Sequence, residues 1–139
     1  EHQLVSIETD DIRRITDIMW KLSMNMGWAL YNWSQSNGLY RIGMEHIFIP
    51  RTDNPEGMLN YINRSNHFGI YLLNNMSSHL EQKCVQQKLI TIADKDDGVR
   101  RLVVMIEQKN SLPISLKPYV LAMKHRTQKG RKSQKNVVG

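Results

Sequence analysis

The residues whose types and spacing suit intermolecular chemistry lie between Leu73 and Glu107. Leu73, Met76, Leu80 and Cys84 recur at three- and four-residue steps, the spacing of one helical stripe, which turns Asn74, Asn75, Ser78, His79 and Gln82 to the other side. Side-chain amides on such a face can pair with adenine edges, and hydroxyl and imidazole groups can bond phosphate, so its composition is that of a helix reading a DNA groove. The same composition also describes the wet side of an ordinary amphipathic helix. Leu89-Ile90-Thr91-Ile92-Ala93 and Leu102-Val103-Val104-Met105-Ile106 then flank the turn-forming Asp94-Lys95-Asp96-Asp97-Gly98, which predicts a hairpin. Lys95, Arg100 and Arg101 at its tip suit a minor groove or a phosphate backbone. Asp94, Asp96 and Asp97 repel phosphate unless they pair with the arginines or with backbone amides.

A polar-faced helix followed at once by a basic hairpin resembles a winged helix-turn-helix, and within that class it is similar to the MarR-type transcriptional regulators. Ser78, Leu80, Cys84, Leu89 and Ile90 carry the resemblance, with Asp97, Arg100 and Arg101 at the wing, over residues 73–107. The resemblance implies a mainly α fold with a small β-hairpin and a long N-terminal dimerisation helix. It further implies a cytoplasmic, non-enzymatic homodimer that binds double-stranded DNA sequence-specifically, together with a small-molecule effector of unknown identity. The DNA-binding set is then Asn74, Asn75, Ser78, His79, Gln82, Lys95, Arg100 and Arg101. Two other functions fit the same skeleton: a winged-helix module for protein interaction or assembly, and a plasmid- or phage-type replication protein.

The elements that must hold this stretch are read from periodicity. Thr9 or Asp10 can cap a helix in which Ile12, Ile15, Ile18, Met19, Leu22, Met26, Ala29, Leu30 and Trp33 keep helical spacing up to Asn37-Gly38, about 27 residues or roughly 40 Å. Ile15, Met19, Leu22, Met26 and Trp33 form its expected dimerisation stripe. Trp20, Met24, Trp28 and Tyr31 lie off that stripe, so they need a partner subunit, a cover within the monomer or an effector pocket. Tyr40 to Ile49 reads as a short helix or an irregular strand. Asn54 with Pro55 marks a helix start, with Met58, Leu59 and Ile62 inward. Ser115 is the expected cap of a last helix over Leu116 to Arg126, which gives a domain over 1–126 and a basic flexible tail over 127–139.

Composition excludes several classes. The 139 residues are 40% hydrophobic and 23% charged, enough for one globular core. No apolar run is long enough to span a membrane, and Glu1-His2-Gln3 does not open a secretory leader. From Lys117 onward seven bases meet no acid, whereas the preceding residues hold twelve bases against thirteen acids. Such a basic segment suits a polyanion, or is simply solvated. His2, His46, His67, His79 and His125 show no metal-ligand spacing, so neither a metal nor a cofactor is expected. There is no glycine-rich phosphate loop and no nucleophile elbow. Cys84, the single cysteine, sits on the apolar stripe and is expected to be buried rather than redox-active.

Overall fold

The computed structural model describes residues 3–109 and 111–126. In chain order these form β1 (Leu4–Thr9), α1 (Ile12–Met26), β2 (Ala29–Ser34), β3 (Gly38–Arg41), α2 (Pro55–Arg64), β4 (Gly69–Asn74), α3 (Lys83–Asp94), β5 (Arg101–Glu107), a 3₁₀ turn (Lys117–Tyr119) and β6 (Val120–His125). The six strands make one sheet in the order β3-β2-β4-β5-β1-β6. β2 and β3 pair antiparallel; every other neighbouring pair is parallel.

A parallel sheet covered on both faces needs strands that are apolar on both sides. Ile70-Tyr71-Leu72-Leu73 in β4 and Val103-Val104-Met105-Ile106 in β5 meet that need, and all eight are buried. Alternation sorts them. Leu4, Tyr31, Trp33, Tyr71, Leu73, Val103 and Met105 face α2 and α3, which supply Met58, Leu59, Ile62, Val85, Leu89 and Ile92. Val5, Ile7, Leu30, Ile70, Leu72, Val104 and Ile106 face the other way, where α1 supplies Ile15.

Local signals fix the helix ends. Asp11 caps α1 by accepting from the Arg14 N–H at 3.1 Å, and Gly27, at φ 71°, ends it in the left-handed conformation. Asn54 caps α2 by accepting from the Gly57 N–H at 2.7 Å, with Pro55 at its first position, as the sequence predicts.

The rest of the fold corrects the expectation. The class is α/β, with a mixed six-stranded sheet, rather than mainly α with a winged helix-turn-helix. The long N-terminal helix is two elements, because Gly27 stops α1 and Ala29–Ser34 continues as β2. Leu73 and Asn74 close strand β4, and the helix that follows starts only at Lys83. Leu89–Ala93 belongs to that helix, so the hairpin does not exist; only its second arm is a strand. The expected C-terminal helix is a single 3₁₀ turn followed by β6. The expected basic tail, 127–139, lies outside the described residues. Among the described residues no helix is long and apolar enough to cross a membrane.

Candidate docking surface

Edges of a sheet carry backbone groups with no ladder partner, so how each edge is finished decides what it can do. The β3 edge is closed by its own chain. Tyr40 bridges to Phe48, the Ile49 N–H donates to the Leu39 carbonyl at 2.9 Å, and the Tyr40 and Phe48 rings meet edge-on at 5.5 Å.

The β6 edge is different. Its inner side pairs with β1 from Leu4↔Val120 to Thr9↔His125, and no described segment bonds its outer side. Only Val120 is buried; Leu121 through Lys124 are exposed. Pairing with β1 sorts the side chains. Leu121 and Met123 stand beside Val5 and Ile7 on the α1 side, 42% and 48% exposed. Val120, Ala122 and Lys124 stand on the α2/α3 side, where Val120 and Ala122 join Ser111, Leu112 and Lys117 around a groove of about 460 Å³. The strand's end is held by a 2.9 Å bond between Thr9 Oγ1 and His125 Nδ1 and by the ion pair of Arg126 with Glu8, also 2.9 Å.

α1 adds a second apolar surface. Ile15 and Ser23 are its buried residues, while Ile18, Trp20, Leu22, Met24 and Met26 remain exposed. The expected dimerisation set therefore does not share one face. Ile15 packs below α1, Trp33 is buried on the opposite side of the sheet, and Leu22 and Met26 are open.

Ligands of open α/β sheets usually lie beyond the carboxyl ends of the strands. Here residues 75–82 fold over the ends of β4 and β5. Glu107 accepts from the Met76 and Ser77 N–H groups at 2.7 and 3.1 Å, and Met76 and Leu80 sit in the core. The expected groove readers fall in this lid, not on a helix. Asn74 ends β4 and donates to Asn32 Oδ1 at 3.3 Å; Asn75 takes φ 60° and accepts from Gln35. Ser78 and His79 lie in turns, the His79 ring lies edge-on to Trp33 at 6.0 Å, and Gln82 only precedes α3.

The expected wing is equally altered. Lys95 ends α3, its carbonyl bound by Gln3 at 3.2 Å. Arg100 lies over the Trp28 ring at 5.8 Å. Arg101 is 1% exposed and donates to the Ile62 and Ser65 carbonyls as well as to Asp97. That guanidinium, together with the Val99 N–H, holds the Asp97 carboxyl well below the usual carboxylate range. Cys84 is exposed rather than buried, and its thiol, 3.2 Å from Glu56 Oε2, is pushed up by that carboxylate. Among the described residues no three His, Cys, Asp or Glu side chains gather as a metal site requires.

Compared with known families, residues 1–125 match the SpoVK-like AAA ATPase, N-terminal domain. The chain belongs to this family. Membership overturns the MarR-type resemblance and, with the sheet architecture, the reading as a winged-helix, DNA-binding transcriptional regulator, since residues 74–82 form no helix and Arg101 is buried. Comparisons with curated proteins and with solved structures give no match. For an AAA ATPase N-terminal domain, the open β6 edge is the feature that sequence reasoning missed, whereas the surplus apolar residues of α1, Trp20 and Met24 among them, were visible in the sequence. The short apolar run Val120–Met123 fits a strand as well as a helix, and Ser115 and Pro118 suggest a capped helix.

Proposed function

We propose that this chain is a non-catalytic docking domain that holds protein segments for an ATPase module. Three features support the reading. Its family is named for a position N-terminal to an AAA ATPase. Its own sequence has no glycine-rich phosphate loop, so nucleotide chemistry belongs to another part of such a protein. The observation that carries the reading is the open β6 edge with Leu121 and Met123 beside it, since exposed apolar groups rimmed by charge mark interaction surfaces.

The test is binding of the whole chain to a chemically unfolded protein, reduced and carboxymethylated lactalbumin, followed by fluorescence anisotropy. Saturable binding in the micromolar range, with no ATP turnover by the chain alone, is the expected result. ATP hydrolysis by the chain, or no binding at protein concentrations up to a millimolar, overturns it.

A further inference from the structure

Resting on the docking role above, we infer that β6 captures its partner by strand addition, and that the partner is an extended segment alternating apolar and acidic residues. The two sides of the β6 edge differ in chemistry. One side presents Leu121 and Met123, the other Ala122 with Lys124 and, across the groove, Lys117. A strand laid along this edge also sends alternate side chains to alternate sides. One set then meets the apolar pair and the other meets the lysines, while the main chain bonds the open row of β6.

Charge decides between possible occupants. Neither Lys117 nor Lys124 is ion-paired among the described residues; Glu8 stands across from Lys124 on β1, and its carboxylate is bound to Arg126. From Lys117 onward the sequence has seven bases and no acid. An acidic segment supplies counter-charges to Lys117 and Lys124, whereas the β6 of a second copy, VLAMKH, contains no acid and supplies none. The strand's length, six residues, spans roughly 20 Å, the reach of a short linear segment. β3 offers no such site, because its edge is already covered by the chain around Phe48 and Ile49.

The probe is a fluorescent nine-residue peptide alternating valine and glutamate, titrated against the whole chain. Two further peptides carry N-methyl groups on alternate residues, one in each frame. Strand addition uses only one edge of the peptide, so one frame should bind and the other should lose at least tenfold. The double variant L121D/M123D should lose at least tenfold. K117E/K124E should lose the glutamate peptide and gain one in which lysine replaces glutamate, a swap that a misfolded variant cannot produce. Equal binding of both methylated frames, or K117E/K124E still preferring glutamate, overturns the inference. A chain that binds unfolded lactalbumin unaffected by L121D/M123D refutes the edge site and leaves the docking role intact; a chain that binds neither probe refutes both. Dimerisation abolished by L121D/M123D, without peptide binding, would assign the edge to a second copy and overturn the inference.

Discussion

Arg101 and Asp97 form a two-point ion pair, with Nη1 to Oδ1 at 3.0 Å and Nη2 to Oδ2 at 2.8 Å, in which the arginine is buried and the aspartate reaches the surface. The guanidinium is a staple. Its Nε donates to the Ile62 carbonyl at 3.0 Å and its Nη2 to the Ser65 carbonyl at 2.7 Å, so the end of α2 is tied to the start of β5. Arg101→Ala should cost about 3 kcal/mol, because two buried carbonyls lose a charged donor. A planar fork is required, so Arg101→Lys should recover less than half of that in urea denaturation.

The same pair sets a pH dependence. The folded carboxyl of Asp97 titrates below its unfolded value of about 3.9, so its stabilising contribution is complete above that pH and fades as pH falls through the folded range. Asp97→Asn should therefore lower the denaturation midpoint at pH 7 more than at pH 2.5. An equal gap at both values would remove the ion pair from the account.

Cys84 should react slowly despite being open to solvent. The Glu56 carboxylate at 3.2 Å disfavours the thiolate, which is the reacting form. Glu56→Gln should speed alkylation by iodoacetamide at pH 7.5 several-fold, read as the rate of mass increase. No change in rate would show that the contact does not govern the thiol.

Gly38 should not tolerate a side chain. Its φ is 116°, and a Cβ there would press on Thr52 Oγ1, which accepts from the Leu39 N–H and donates to the Ile49 carbonyl. Gly38→Ala should cost roughly 2–3 kcal/mol and loosen the covered β3 edge, seen as faster amide exchange at Leu39 and Ile49.

Glu107 should govern the lid over the strand ends. Glu107→Gln removes a charged acceptor from two amides, worth about 1–2 kcal/mol. Exchange at the Met76 and Ser77 amides should accelerate about tenfold or more, while β4 amides stay protected.

How much of this was legible depended on what kind of signal each segment carries. Asn54-Pro55 names a helix start by cap chemistry alone, and α2 begins there. The run Leu102–Ile106 reads as a strand and is one. Ala29–Ser34 and Gly69–Asn74 are largely buried strands; the apolar runs Ala29–Tyr31 and Ile70–Leu73 within them fit a buried helix as well as a strand. Gly27 was the missed cue: placed between two apolar stretches, it ends α1, yet the helical period on either side conceals it. Leu89–Ala93 failed in the other direction, since packing of Leu89 and Ile92 on the sheet outweighs the strand preference of Ile90, Thr91 and Ile92. Of the proposed site, the basic character of the last segment was visible in the sequence, but the open edge was not, because strand order alone decides which strand is outermost.

β1 lies between β5 and β6, so the first strand made is an interior one. Its neighbours on both sides come from the last third of the chain, Val103–Glu107 and Val120–His125. During synthesis the apolar residues of β1 must therefore wait, without their ladder partners, until nearly the whole domain has left the ribosome. Completion of the sheet is a late event, and a nascent chain stalled before β5 leaves the apolar residues of β1 open to whatever chaperone is nearby.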